Sequence, residues 1–188
     1  QRLSLDQVKE IVPILENAPT ARLPIIGGVY QPKAGLARHD AVAWAFARMA
    51  DARGIHIIQN CEVTGINQNG KRVSGVETTK GPIRAKKIGV AVAGHAGVIA
   101  DMVGLRLPIE TRPLQAFVSH PIKPILNTIV SCGAYGTYLM QSDRGELVVG
   151  GAADPYPSFQ QRGTSQITEQ VVAGMCEVFP IFKRLNLM

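Results

Sequence analysis

The sequence predicts an α/β lobe followed by an α+β lobe, and three patterns support that fold class. A helix with one apolar stripe precedes a series of short β-branched runs. The last of these runs, residues 87–94, is almost continuously apolar. From residue 114 onward, apolar and polar residues alternate as in antiparallel strands. We place the break near residues 105–112, which gives a first lobe of 1–108 and a second of 109–188.

Two short elements are predicted at the start of the chain. Ser4 can cap a helix over residues 5–15, because its side-chain oxygen accepts from the exposed amides, and Asp6 complements the positive end of the helix. Pro13 limits the length of that helix. Residues 24–35 contain glycine and proline after a short apolar run, which is typical of a strand that enters a loop.

The clearest helix is predicted from about Asp40 to Arg53. Asp40 is placed to cap it, Arg53 complements its carbonyl end and Gly54 ends it. Apolar residues recur in it at three- and four-residue spacing and form one stripe. They are Val42, Ala45, Phe46, Met49 and Ala50.

A meander of about four strands is expected next. Residues 55–60 and 62–69 are short β-branched runs, and Asn69-Gly70 is a strong tight-turn dipeptide. The pattern continues to residues 87–94, whose apolar character predicts burial on both faces, as in a parallel sheet. Residues 95–104 then predict a short helix that Gly104 ends.

The second lobe is predicted to be an antiparallel sheet and one helix. Ser165 or Thr164 caps a helix over residues 166–179, which Pro180 ends. The predicted strands are residues 114–121, 128–135, 137–143 and 146–154.

Composition narrows the classes of function. The net charge of +6 suits an anionic partner, yet the densest basic cluster is only Arg84, Lys86 and Lys87, with no interleaved aromatics. Nucleic-acid binding is therefore not expected. Three scattered cysteines without ligand spacing predict no metal site and a reducing compartment. No apolar stretch is long enough to span a bilayer, so we expect a cytoplasmic protein.

Motif rules alone do not reveal an activity. The chain has no G-x-G-x-x-G, P-loop, HExxH or GxSxG motif. Arg38-His39-Asp40 stands out, because it places an imidazole between a cation and a carboxylate at a helix start, where an anionic ligand is favoured. The alternative is that Asp40 caps the helix while Arg38 and His39 are solvated loop residues.

Several other polar residues are compatible with either a ligand-binding or a structural role. His95 follows the apolar run 87–94, at the strand end where α/β domains place ligands, or it lines the Gly94–Gly97 turn. Tyr135 and Tyr138 are three residues apart on one predicted strand and therefore lie on opposite faces. Each of them either lines a pocket or packs the sheet. Gln141 likewise either lines a pocket or packs the sheet. His56 and His120 are expected to be structural or solvent-facing.

The order of these segments resembles the D-amino-acid-oxidase-like flavoprotein family. Residues 27–54, which include "ARHDAVAW", and residues 139–154, "LMQSDRGELVVGGAAD", are similar to beta subunits of the heterotetrameric sarcosine oxidases in that family. The resemblance covers essentially the whole chain. It implies part of an FAD-binding domain followed by an antiparallel-sheet substrate domain.

The resemblance also implies cofactor contacts. His39 is expected to bond covalently to the 8α-methyl carbon of FMN, with Arg38 at the same cofactor. Val63 is expected near the adenine of a separate, non-covalent FAD, and Gly94 is a further expected cofactor-binding residue. No catalytic residue is assigned, because the family's catalytic groups belong largely to segments outside residues 1–188.

The implied reaction is oxidative demethylation of sarcosine, or a similar N-methyl amino acid, to glycine with hydrogen peroxide. Partners would be the other subunits of a hetero-oligomer. Because the family's dinucleotide motif is missing, we expect this chain to be an internal fragment with an incomplete FAD site. We expect the fragment to be inactive alone. The alternatives are a related D-amino-acid or secondary-amine oxidase or dehydrogenase, and a non-catalytic interaction module.

Overall fold

A computed structural model of the chain describes residues 1–16 and 21–188. The helices within that part are α1 (Leu5–Ile11), α2 (His39–Asp51), α3 (Ala96–Asp101) and α4 (Ser165–Val178), with 3-10 turns at Ala93–His95 and Pro180–Arg184. The strands are β1 (Arg2–Ser4), β2 (Gly27–Val29), β3 (Val63–Asn69), β4 (Arg72–Thr78), β5 (Ile83–Arg84), β6 (Leu114–Val118), β7 (Val130–Cys132), β8 (Thr137–Gln141) and β9 (Leu147–Ala153).

The chain divides into two compact units. Residues 1–35 and 112–188 form one, called the sheet unit below, and residues 36–111 form the other, called the meander unit. The second boundary lies close to the predicted break. Residues 1–35, however, group with the second half of the chain rather than with residues 36–108. The reason is long-range packing: Val12 and Leu15 are buried in the core of the sheet unit.

The core of the sheet unit lies between an antiparallel sheet and α4. The sheet is antiparallel, as the alternating pattern predicts, and its strand order is β6-β9-β8-β7. Leu139, Leu147 and Val149 point to its buried face. The buried side of α4 meets them with Val171 and Met175. Burial of each large apolar side chain stabilises the fold by about 1.5–3 kcal/mol.

The capping predicted for α1 is confirmed. The Ser4 hydroxyl accepts from the Gln7 amide, and the Gln7 side chain accepts from the Ser4 amide. Two otherwise unsatisfied amides are thereby paired at the start of a short helix. β2 then pairs with β1 in antiparallel fashion, which confirms the predicted strand in residues 24–35.

Gln141 organises the loop that precedes β7. Its Oε1 accepts from the amides of Ile125 and Leu126 at 2.8 and 3.1 Å. Its Nε2 donates to the carbonyls of Lys123 and Gly145 at 3.1 and 3.0 Å. The sequence is compatible with two roles for Gln141, lining a pocket or packing the sheet. The structure shows a side chain whose two polar atoms both bind backbone.

We expect Gln141→Ala, in the full-length protein, to open this loop locally. The amides of Ile125 and Leu126 lose their acceptor, and each lost hydrogen bond of this kind costs about 1 kcal/mol. Hydrogen–deuterium exchange at these two amides should accelerate by about ten-fold or more. Gln68→Ala, at an exposed position of β3, is the matched control. Unchanged exchange at both amides in the Gln141 variant would contradict the role assigned to this side chain.

The meander unit contains the antiparallel sheet β3-β4-β5. A tight turn is present where Asn69-Gly70 predicts one, but Asn69 pairs with Arg72, so that Gly70, at a positive φ of 61°, and Lys71 are its central residues. The expected strands at residues 55–60 and 87–94 are wrong in this structure, and Val90 is 51% exposed rather than buried. A parallel strand needs a hydrogen-bonded neighbour, and in the described ranges neither segment pairs with another strand.

The helix predicted from Asp40 to Arg53 is present but is shifted at its start. It begins at His39, and Arg38 occupies the N-cap position without a side-chain hydrogen bond to the helix. Asp40 is therefore a first-turn residue and not the cap. The predicted apolar stripe faces solvent, since α2 has no buried residue and Phe46 is 74% exposed.

No helix in the described ranges is both long enough and apolar enough to cross a membrane.

Candidate functional site

The Arg38-His39-Asp40 group lies at the amino end of α2, with all three side chains exposed. The helix starts at His39 because Arg38 leaves helical geometry, with φ −73° and ψ 90°. The His39 side chain is exposed, and Arg38 directly precedes it in the chain. The positive end of the helix dipole adds to the charge of Arg38.

Asp40 modifies the charge of this helix start. The amide of Ala41, which donates to the carboxylate, holds the pKa of Asp40 below its usual value, and the charges of Arg38 and His39 act in the same direction. The carboxylate thus stays ionised at neutral pH. Its stabilising contribution is present above the ordinary pKa of an Asp and is lost as the pH falls through the lowered pKa.

Val63 begins β3 and pairs with Thr78 on β4. A register shift between Val63 and Gly65 interrupts the regular ladder at this point. Val63 is half-buried. The contact of Val63 with an adenine stays a prediction.

Gly94 lies in the 3-10 turn that precedes α3. The hydroxyl of Thr111 donates to its carbonyl oxygen. A Cβ at position 94 would stand 3.0 Å from the methyl group of Thr111, so close packing against that residue is itself a reason for glycine here. The neighbouring His95 is exposed and occupies the N-cap position of α3.

The two tyrosines have separate environments. Tyr135, 7% exposed, donates its hydroxyl proton to Glu177 at 2.7 Å. Burial raises the pKa of Tyr135, and the Glu177 carboxylate raises it further. Tyr138 lies on the sheet directly over Gly150, where an added Cβ would come within 2.4 Å of the ring. Tyr135 is therefore structural, whereas Tyr138 remains a surface residue.

A cavity in the sheet unit was not anticipated from the sequence. Its volume is about 330 Å³, and α1, residues 23–30 and residues 128–134 line it. Most of the lining side chains are apolar. The four predicted cofactor-binding residues, Arg38, His39, Val63 and Gly94, all belong to the meander unit.

Comparison with known proteins establishes the family. Residues 1–187 match the family described as FAD dependent oxidoreductase, which is almost the entire chain. The chain belongs to the FAD-dependent oxidoreductase family. The predicted fold class, α/β plus α+β with part of an FAD-binding domain, is confirmed as an FAD-dependent oxidoreductase fold with helices and antiparallel sheets. The expectation of FAD as the family cofactor is confirmed as well.

Similar members of this family carry a common name. The chain is 46% identical, over 186 residues, to "Sarcosine oxidase subunit beta" of Arthrobacter sp. The matched segment covers 99% of this chain and 46% of that protein. It is 47% identical over 181 residues to the protein of that name from Rhizobium meliloti, covering 96% and 43%. The chain thus spans about half the length of these curated relatives.

Solved structures show the same fold. The chain superposes on L-proline dehydrogenase from P. horikoshii with a TM-score of 0.89 and 27% identity, over 100% of the chain and 50% of that protein. For glycine oxidase from Geobacillus kaustophilus the TM-score is 0.85 at 21% identity, and the match covers 100% of this chain and 48% of that protein. The second likeness concerns the fold alone.

Proposed function

We propose that the chain is a piece of a flavin-dependent sarcosine oxidase subunit. The full protein would oxidise the N-methyl group of sarcosine, or of a similar N-methyl amino acid, to an imine. Water hydrolyses that imine to glycine and formaldehyde, and oxygen takes up the two electrons and two protons as hydrogen peroxide.

One observation carries this proposal. Identity of 45–47% to proteins named sarcosine oxidase subunit beta extends over 96–99% of the chain. Those names also support a multi-subunit assembly. The family membership supplies the redox chemistry, since a bound flavin accepts the electrons that leave the amine.

His39 is the proposed attachment point for FMN. The fit rests on its position, because the imidazole is exposed at the start of α2 and Arg38 precedes it. An exposed ring nitrogen can form a bond to a cofactor methyl carbon. The guanidinium and the helix start favour the phosphate of the same molecule. In this assignment the chain holds and orients FMN through two adjacent residues.

Val63 and Gly94 are proposed to contact a separate FAD. Val63 offers backbone groups beside a register shift in β3, and Gly94 offers a backbone without a Cβ. Neither residue provides a phosphate-binding loop, and the chain contains no G-x-G-x-x-G motif. We therefore propose that residues 1–188 bind FAD weakly alone and do not turn over substrate.

Substrate profiling of the full-length complex tests the proposed activity. We expect peroxide formation with sarcosine, and a kcat/KM for D-alanine, proline and glycine that is lower by about ten-fold or more, because a site that binds one amine discriminates against analogues that lack or misplace a group. Turnover of proline or D-alanine without turnover of sarcosine would contradict the assignment. The fold would then serve another amine oxidase or dehydrogenase.

A further inference from the structure

The positive charge of the chain is concentrated in the sheet of the meander unit. Residues 69–87 contain six cations and one carboxylate, a net charge of +5 out of the +6 of the whole chain. The rest of the chain holds 14 of the 20 cations and 13 of the 14 carboxylates, so it is almost neutral. The sequence pattern alone showed only a narrow cluster at residues 84–87.

Strand pairing gathers cations that are distant in sequence. β4 pairs with β5, so that Gly75 faces Arg84, and the amide of Ala85 donates to the carbonyl of Ser74 at 3.0 Å. As a result Arg72, Arg84 and Lys86 line one open groove of about 450 Å³. We call it the cationic groove. Its other lining residues are Asn69, Val73, Ser74 and Ala85.

The three cations of the groove are exposed and are not neutralised within the described ranges. The ion pairs recorded there join Arg22 to Glu177 and Arg144 to Glu146, both in the sheet unit. Glu77, the carboxylate nearest in sequence, accepts a hydrogen bond from the Asn67 amide at 2.7 Å. Like charges held close together repel, and an anionic partner would relieve that repulsion.

The groove fits protein carboxylates better than other anions. Residues 69–87 contain no aromatic side chain, whereas single-stranded nucleic-acid sites stack bases on aromatics. The groove also lacks buried donors of the kind that enclose a small phosphate, since its three cations are all exposed. An acidic protein segment needs neither feature.

We propose that the cationic groove is a docking surface for an acidic segment of a partner subunit. This inference rests on the proposed function, in which the chain works in a multi-subunit complex. Exposed ion pairs contribute little to affinity. They act mainly on the rate of association and on its dependence on salt.

The test uses the full-length protein and a candidate alpha subunit. We expect the triple variant Arg72→Glu, Arg84→Glu, Lys86→Glu to lower the association rate constant at low ionic strength by about ten-fold or more, and to flatten its salt dependence. The matched control is Arg2→Glu, Lys33→Glu, Arg162→Glu. It replaces two arginines and one lysine at exposed positions of the sheet unit, and both variants bring the net charge from +6 to zero. Stopped-flow or surface-based kinetics measures both rates, and thermal unfolding checks that both variants fold.

The outcomes separate the two proposals. Slower association of the groove variant alone supports the docking surface. Equal effects of both variants, or no effect of either, overturn it and leave the sarcosine oxidase assignment intact if sarcosine turnover persists. Loss of oligonucleotide binding with unchanged subunit association would overturn it in favour of a nucleic-acid partner. A wild-type protein that associates with no other subunit would overturn the docking surface together with the proposed assembly.

Discussion

A His39→Asn variant of the full-length complex is expected to lose its covalent flavin completely. Asparagine has no ring nitrogen that can bond to a cofactor methyl carbon, so the chain should precipitate colourless from acid. The wild-type chain should remain yellow and fluorescent after the same treatment. Because the side chain of residue 39 is exposed, the substitution should leave the free energy of unfolding within about 0.5 kcal/mol of wild type.

Two controls make this result specific. His56→Asn replaces another exposed histidine of the meander unit and should keep the acid-stable flavin. Arg38→Gln removes the neighbouring guanidinium and should lower the fraction of chains that carry flavin without abolishing the covalent bond, since the proposed role of Arg38 is to position the cofactor and not to form that bond. A His39→Asn chain that retains as much acid-stable fluorescence as wild type would contradict the tether.

Replacing Asp154 by alanine should cause a large loss of stability. Asp154 is 1% exposed. It accepts hydrogen bonds from the Thr164 hydroxyl at 2.9 Å and from the Gln115 and Gln160 amides at 3.3 and 3.2 Å. Thr164 is the N-cap residue of α4 and makes no side-chain capping bond, so the carboxylate orders that residue and places negative charge near the helix start.

In Asp154→Ala these donors lose their acceptor; the Gln115 amide is buried and Thr164 is half-buried, and a buried donor left unpaired costs about 1–3 kcal/mol. We expect a loss of about 3 kcal/mol in the free energy of unfolding, measured by urea denaturation of the full-length protein. Asp154→Asn is the control, because its oxygen still accepts from Thr164 and Gln115, and it should lose about 1 kcal/mol less. If both variants stay within about 0.5 kcal/mol of wild type, this hydrogen-bond network does not stabilise the sheet unit.

Local signals predicted the sheet unit well. The Ser4 cap, the alternating strands and the helix before Pro180 each depend on residues close in sequence or on a simple period, and the structure contains all three. The grouping of residues 1–35 with residues 112–188 depends on long-range packing of Val12 and Leu15, which no local pattern encodes.

The meander unit shows where the pattern misleads. Residues 87–94 have the composition of a buried parallel strand, and Val90 is nevertheless half-exposed, because strand formation requires a neighbour and composition supplies none. Similarly, the stripe of α2 predicted a helix correctly but not its burial. Amphipathicity determines which face of a helix can be buried, and only a partner surface buries it.

The candidate site was partly accessible to sequence. Arg38, His39 and Asp40 are adjacent, so the helix-start signal found them together. The cationic groove was missed because Arg72 and Arg84 are joined by the pairing of β4 with β5 rather than by proximity in sequence. Asp154 was missed for the same reason, since its partners Gln115 and Thr164 belong to other elements.

The most direct test of the central claim is the mass of one peptide. Trypsin cleaves after Arg38 and Arg48, and the peptide between them, "HDAVAWAFAR", contains His39. From a flavin-loaded complex we expect this peptide, or its longer form uncleaved at Arg38, to carry the added mass of FMN less two hydrogens, with fragment ions that place it on His39. An unmodified peptide from a fully loaded complex, or flavin found on a different peptide, would contradict the assignment.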